Sequence, residues 1–186
     1  MRRTTKRRIK TISPYRRKDS MMRVAFLDRD GTIVKDYADE HWANIYELEF
    51  LPNSLQGLKS IINKGYEIII ITNQYIIHEG YISYSRYKML NDAMCVKLKD
   101  MGIELLDIFM YPHARSQPCH CRKPETGMIE MAMQKYPSID KTTSFIAGDS
   151  DCDEELAKRC GMQFYRINET FDLFSVSKKL EYSENF

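Results

Sequence analysis

Short apolar runs alternate with longer segments of mixed polarity along most of the chain. The first two apolar runs, 24–27 and 67–71, are short and bounded by polar residues, as buried strands are. Three similar runs follow at 108–111, 144–147 and 163–167. The pattern therefore predicts five short β-strands.

The segments between these strands carry apolar residues at helical spacing. A helix is predicted from Pro52 to Gly65, and others near 83–102, 127–136 and 153–161. Regular alternation of strands and helices indicates an α/β fold. We expect a Rossmann-like, mostly parallel five-stranded sheet with helices on both faces.

Polar residues follow the predicted strands at their carboxyl ends, where such sheets bind ligands. Asp28 and Asp30 follow the first strand, 72–74 (Thr-Asn-Gln) the second, and Asp149 the fourth. Lys123 lies in the loop after the third strand. The sequence thus predicts one polar site at a single edge of the sheet.

Charge is distributed unevenly along the chain. The first 23 residues contain ten of the 28 basic and one of the 26 acidic residues, so their net charge is +9 and that of the remainder is −7. Three explanations of such a basic segment are open: it contacts nucleic acid, it is an organellar targeting sequence, or it lies upstream of a natural start at Met21 or Met22. The predicted organisation is a disordered basic arm at 1–22, one domain at 23–170 and a C-terminal tail at 171–186.

Two further features bear on where the protein functions. The longest aliphatic run, 68–71, is far shorter than the roughly 20 residues that cross a bilayer. Five cysteines, of which only Cys119 and Cys121 are close in sequence, do not suggest a disulfide framework. We expect a cytoplasmic monomer with no membrane contact.

The residue types at the predicted site favour phosphoryl transfer. Three converging carboxylates, Asp28, Asp30 and Asp149, would repel each other unless a hard cation such as Mg²⁺ bound them. Thr72 and Lys123 offer a hydroxyl and a positive charge to phosphoryl oxygens. A lone Asp-x-Asp pair is more often a turn or a surface feature. The combination of motifs carries the prediction.

Four ordered segments, 26–32, 71–74, 121–124 and 148–153, resemble the motifs of haloacid dehalogenase superfamily phosphatases. Arg29 and the Cys-x-Cys-Arg-Lys-Pro element are similar to the branch of heptose 1,7-bisphosphate 7-phosphatases and histidinol-phosphatases. The resemblance covers about residues 23 to 167. It implies a fold without a cap domain, in which loops close the site.

The resemblance also implies a role for each matching residue. Asp28 would be the nucleophile that forms an aspartyl-phosphate, and Asp30 the general acid and then the base. Mg²⁺ would be held by the Asp28 carboxylate, the Asp30 backbone carbonyl and Asp149. Asp153 would either support this site or be an acid at a helix N-terminus that the helix dipole favours. Thr72 and Lys123 would bind the phosphoryl group, and Asn73, Gln74 and Arg122 the rest of the substrate.

The loop before Lys123 departs from the resembled branch, where a Cys-x-His and a Cys-x-Cys pair bind structural Zn²⁺. This chain keeps His113, Cys119 and Cys121 but has Tyr111 in place of the first cysteine. A structural zinc site normally has four protein ligands. Either water or a remote side chain completes a zinc site here, or the loop holds no metal.

The resemblance favours a small phosphorylated sugar as substrate, specifically the 7-phosphate of D-glycero-D-manno-heptose 1,7-bisphosphate. Histidinol phosphate is the alternative, because only five residues separate His113 from Cys119. A third hypothesis is a DNA 3′-phosphatase that binds nucleic acid through residues 1–20, since such enzymes share several of these motifs. The net charge of −7 outside the arm makes us favour the small metabolite.

Overall fold

The computed structural model describes residues 21–182, so positions 1–20 of the predicted arm at 1–22 lie outside the described residues. Five strands form one parallel sheet in the order β3-β2-β1-β4-β5. This confirms the predicted α/β sheet. The strands are β1 (Val24–Leu27), β2 (Glu67–Asn73), β3 (Asp107–Tyr111), β4 (Phe145–Gly148) and β5 (Gln163–Arg166).

Helices cover both faces of the sheet, as predicted. They are α1 (Ser54–Asn63), α2 (Tyr84–Asp100), α3 (Gly127–Lys135), α4 (Asp151–Cys160), α5 (Leu173–Lys179) and a short 3-10 helix (Asp39–Asn44). Alternate β1 residues face opposite sides, so Leu27 packs with the α1, α2 and α5 cluster, and Phe26 with the α3 and α4 cluster. No helix among the described residues is long and apolar enough to cross a membrane.

The ends of the domain differ from the sequence prediction. The predicted tail at 171–186 contains α5, in which Leu173 and Val176 belong to the core. At Gly57 of α1, an added Cβ would lie 2.5 Å from the Leu173 carbonyl carbon, so the two helices approach closely. At the other end, the Met22 N–H donates to Ser138 O at 2.6 Å, so Met22 belongs to the domain and not to the arm.

Strand register brings the carboxyl ends of the central strands to the same level. Leu27 pairs with Ile70 on one side and with Ala147 on the other. The Asp28 N–H then donates to Ala147 O at 2.9 Å, which places Asp28 beside the end of β4. Between β1 and β2, residues 28–66 form only the 3-10 helix, α1 and loops. This edge of the sheet therefore has no cap domain between those strands.

Candidate active site

Lys123 is a buried cation between two carboxylates. Its Nζ lies 2.7 Å from Asp28 Oδ1 and 2.7 Å from Asp153 Oδ1, and its side chain is 2% exposed. Burial lowers the pKa of Lys123, but the two carboxylates more than offset this and hold the pKa above its ordinary value. Lys123 thus carries a full positive charge at the end of β1.

Asp28, Asp149 and Asp153 form the one group among the described residues in which three or more potential metal-ligand side chains have ligand atoms within 4.8 Å of one another. Burial raises the pKa of Asp28, with Lys123 opposing and Asp153 and Asp30 adding to the shift. Burial also raises the pKa of Asp149. Oxygen-only donors in a site that disfavours their negative charge fit Mg²⁺.

Within this group, both carboxylate oxygens of Asp153 accept hydrogen bonds from other residues of the protein. Its Oδ1 accepts from Lys123 at 2.7 Å, and its Oδ2 accepts from the hydroxyl and backbone N–H of Ser150. The contacts with Ser150 form a capping box at the start of α4. Asp153 is therefore held at the start of α4 and beside Lys123, and Asp28 and Asp149 are the potential metal ligands with fewer protein donors.

Two glycines allow these carboxylates to approach the backbone. Gly31 has φ +76°, and an added Cβ would lie 2.1 Å from Asp149 Oδ2. At Gly148 an added Cβ would lie 2.3 Å from Asp153 Cγ. Any side chain at either position would displace a carboxylate of the group.

Asp30 is held by side chains on the other side of the site. Arg29 donates from Nε to Asp30 Oδ1 at 2.9 Å and from Nη2 to Asp30 Oδ2 at 3.0 Å. Gln74 donates from Nε2 to the same Oδ2 at 2.6 Å. The Asp30 carboxylate is thus bound within the protein, which agrees with a metal contact through its backbone carbonyl only.

The Thr-Asn-Gln triplet at the end of β2 lines the pocket and also holds neighbouring residues in place. Asn73 exchanges two hydrogen bonds with the backbone of Lys123, at 3.0 and 3.2 Å. The Gln74 amide is used by Asp30, Arg29 and Thr72. Thr72 Oγ1 accepts from Gln74 Nε2 at 2.9 Å, so its hydroxyl proton is available for a phosphoryl oxygen.

A pocket of about 180 Å³ opens over these residues. Its outer wall includes Asp36, Asp39 and Trp42 from the segment after β1, together with Tyr75. Burial and the neighbouring carboxylates raise the pKa of Asp36 to about 6. The pocket accepts a small leaving group and offers it mainly carboxylate acceptors.

Arg115 forms hydrogen bonds that connect the loops at the rim of the pocket. It binds Glu79 through Nε at 3.0 Å and Nη2 at 2.7 Å, and Asp39 through Nη2 at 3.0 Å. Its guanidinium also lies 4.3 Å from the ring centroid of Tyr75, whose hydroxyl donates to Asp39 at 3.0 Å. These contacts join the segments after β1, β2 and β3.

Arg122 and the predicted zinc ligands lie away from the catalytic pocket. Arg122 donates to Arg115 O at 2.6 Å and lines a neighbouring pocket. The sulfur atoms of Cys119 and Cys121 are 3.3 Å apart, whereas the His113 ring packs edge-on against Tyr111, with centroids 4.8 Å apart. Within residues 21–182, His113 does not join the two thiols in a three-ligand group.

Several residues of the site were not singled out from the sequence. Trp42 is 2% exposed and lines the pocket. Arg166, at the end of β5, donates to Asp149 O at 2.9 Å and binds Asp151 and Glu154 at the start of α4. Only their positions after strand ends could have indicated these roles.

Comparison with known proteins agrees with this geometry. Residues 23–171 match the family model described as Polynucleotide kinase 3 phosphatase. The D-glycero-alpha-D-manno-heptose-1,7-bisphosphate 7-phosphatase of Photorhabdus laumondii is 44% identical over 148 residues, which cover 76% of this chain and 79% of that protein. The histidine biosynthesis bifunctional protein HisB of Campylobacter jejuni is 32% identical over 79% of this chain, which spans only 42% of that protein.

A solved structure has the same fold. The D,D-heptose 1,7-bisphosphate phosphatase from B. bronchiseptica, complexed with magnesium and phosphate, is 26% identical and superposes with a TM-score of 0.74. The superposition covers 86% of this chain and 98% of that one. The chain therefore belongs to the Polynucleotide kinase 3 phosphatase family, within the haloacid dehalogenase superfamily of phosphatases.

Proposed function

We propose that this phosphatase removes the 7-phosphate of D-glycero-D-manno-heptose 1,7-bisphosphate in a Mg²⁺-dependent reaction. The observation that carries the proposal is the 44% identity to the Photorhabdus laumondii enzyme of that name. The convergence of Asp28, Asp149 and Lys123 beside a small pocket supports it.

In the proposed mechanism Asp28 attacks phosphorus, and the bond to the sugar oxygen breaks. Asp30 protonates the departing oxygen and then takes a proton from the water that hydrolyses the aspartyl-phosphate. The Thr72 hydroxyl and the Lys123 ammonium bind phosphoryl oxygens, on which negative charge is spread in the transition state. When bound at Asp28 and Asp149, Mg²⁺ supplies the positive charge that allows an anionic nucleophile to approach an anionic phosphate.

The outer wall of the pocket supports a polyhydroxylated leaving group. Asp36 and Asp39 both line it, and a carboxylate accepts hydrogen bonds from sugar hydroxyls. Arg115 binds Asp39 and holds this wall in place. We infer that the sugar hydroxyls, rather than a second phosphate, bind beside Asp36.

Histidinol phosphate is the second candidate substrate. The similarity to HisB supports it, and the same Asp36 and Asp39 carboxylates suit a cationic amine. A DNA 3′-phosphatase is supported by the description of the matching family model. Carboxylates on the wall of the pocket disfavour the extended phosphate backbone of a nucleic acid, so the small metabolites are the favoured substrates.

Structural zinc at His113, Cys119 and Cys121 stays a prediction. The neighbouring thiols are suitable ligands, and Tyr111 is a poor replacement for a thiolate. Counting zinc and magnesium per chain in purified protein measures this directly. One zinc per chain, lost when Cys119 and Cys121 are both changed to Ser, is the result that a zinc site requires.

A substrate panel tests the proposed function. Phosphate release is measured from both anomers of the heptose bisphosphate, from histidinol phosphate and from a 3′-phosphorylated oligonucleotide. We expect the highest kcat/KM for a heptose bisphosphate, and a loss on the order of 10⁴-fold or more in Asp28→Asn. Asp92→Asn, at an exposed site on α2, is the matched control and should equal the wild type.

Other outcomes of the panel identify what has failed. A higher kcat/KM for histidinol phosphate would contradict the substrate while keeping the mechanism. Hydrolysis of the oligonucleotide that depends on low salt and on residues 1–20 would support the nucleic-acid alternative. Activity retained by Asp28→Asn would exclude the nucleophile.

A further inference from the structure

Arg29 is enclosed in the protein interior beside the site. Its residue is 1% exposed, and its guanidinium carbon lies 5.6 Å from the Trp42 ring centroid and 5.1 Å from that of Tyr87. Its Nη1 is buried and has no hydrogen-bond partner among residues 21–182. Moving a guanidinium out of water costs several kcal/mol, and a buried unpaired N–H adds to that cost. Stability alone does not explain this arginine.

The remaining donors of Arg29 all serve Asp30 or its neighbour Gln74. Nε and Nη2 bind the two oxygens of Asp30 at 2.9 and 3.0 Å, and Nη2 also lies 3.0 Å from Gln74 Oε1. Gln74 in turn donates to Asp30 Oδ2 at 2.6 Å. A two-point contact from a planar guanidinium fixes the plane of a carboxylate as well as its position.

These contacts leave the two oxygens of Asp30 unequal. A carboxylate has about two acceptor positions on each oxygen. Oδ2 accepts from both Arg29 and Gln74, whereas in the described part of the chain Oδ1 accepts from Arg29 Nε alone. The one unused acceptor position is therefore on Oδ1.

We propose that Arg29 is a positioning residue which, together with Gln74, orients the Asp30 carboxyl group so that Oδ1 carries the proton given to the leaving group. This inference rests on the proposed function of Asp30 as general acid. As an Asp28 oxygen bonds to phosphorus, the bond from phosphorus to the leaving oxygen breaks. That oxygen keeps the electron pair and takes the proton from Asp30 Oδ1. Arg29 is not among the residues that line the pocket, so it acts through Asp30.

The test compares two aryl esters of similar size, phenyl phosphate and p-nitrophenyl phosphate. Nitrophenolate departs readily without a proton, whereas phenolate needs one. Arg29→Lys keeps the positive charge but loses the two-point contact. We expect kcat/KM to fall on the order of 10²-fold for phenyl phosphate and by less than about threefold for p-nitrophenyl phosphate.

A second variant and a matched control accompany this test. Gln74→Leu removes one donor to Oδ2 and should show the same selectivity, with a loss of about tenfold for phenyl phosphate. Arg159→Lys changes an arginine that pairs with Glu125 and Glu155 away from the pocket, and should match the wild type with both esters. Thermal unfolding checks that each variant is folded. If Arg29→Lys does not fold, the ratio of the losses that Gln74→Leu shows with the two esters tests the proposal.

The heptose bisphosphate supplies an independent measurement. There Arg29→Lys should lower kcat and leave KM unchanged, because Arg29 does not contact the substrate. Equal losses with both aryl esters, or a raised KM with unchanged kcat, would overturn the proposal and assign Arg29 a structural role. If the wild type releases no phosphate from the heptose bisphosphate or from either aryl ester, the proposed function itself fails.

Discussion

Replacing Lys123 by Met removes the buried cation that separates the carboxylates of the site. Lys123 lies 2.7 Å from both Asp28 and Asp153, and its side chain is 2% exposed. Removing one partner of a buried ion pair costs about 4 kcal/mol, because the remaining charge is left uncompensated. For a domain of this size that lowers the unfolding temperature by about 12 °C in metal-free protein.

Mg²⁺ should restore much of this stability. In Lys123→Met the Asp28 and Asp149 carboxylates bind the ion without a neighbouring positive charge, so we expect Mg²⁺ to raise the unfolding temperature more in the variant than in the wild type. Phosphatase activity should stay at least about 10²-fold lower, since the phosphoryl group loses a cation.

The assay is thermal unfolding in EDTA and in saturating MgCl₂. Lys97→Met is the matched control, because Lys97 forms a solvent-exposed pair with Glu47, and such pairs contribute little to stability. Equal unfolding temperatures of Lys123→Met and Lys97→Met in EDTA would refute the account of Lys123. An equal effect of Mg²⁺ on Lys123→Met and the wild type would refute the proposed metal position.

Three further substitutions test other parts of the site. Gly31→Ala places a Cβ 2.1 Å from Asp149 Oδ2, so more Mg²⁺ should be needed for half-maximal activity; an unchanged Mg²⁺ titration would contradict this. Because the folded-state pKa of Asp36 is raised from 3.8 to about 6, its charge destabilises the fold as pH rises through that range. In urea titrations above pH 6, the free energy of unfolding of Asp36→Asn should therefore exceed that of the wild type by about 1 kcal/mol, after allowance for solvent screening. Below pH 3.8 the two free energies should be equal. An equal gain in both pH ranges would contradict the raised pKa of Asp36. Arg115→Met loses its contacts to Glu79 and should raise KM for the sugar phosphate about threefold with little change in kcat. An unchanged KM would show that the rim of the pocket does not contribute to substrate binding.

The sheet and the catalytic carboxylates were predictable from the sequence for a physical reason. The central strands are buried on both faces and therefore appear as apolar runs, and parallel strands bring the residues that follow them to one edge. Asp28 and Asp149 follow such strands directly, and Thr72 is the second-last residue of β2. Their convergence needs only the strand order and the register.

Long-range contacts were not predictable in the same way. The burial of Arg29 depends on Trp42 and Tyr87, which come from the 3-10 helix and α2. Asn73 bonds to a backbone 50 residues away, so its positioning role has no local signal. The seven residues of α5 are too few for a clear helical period, so the sequence predicts a tail where the structure has a helix.

The aspartyl-phosphate at Asp28 tests the central claim most directly. A single turnover of the heptose bisphosphate with excess enzyme and Mg²⁺ is stopped in acid, and peptides are analysed by mass spectrometry. The account predicts one phosphoryl group on the peptide that contains Asp28 and none on that peptide from Asp28→Asn. Complete release of phosphate by the wild type, with this peptide unmodified at every time point, would contradict it.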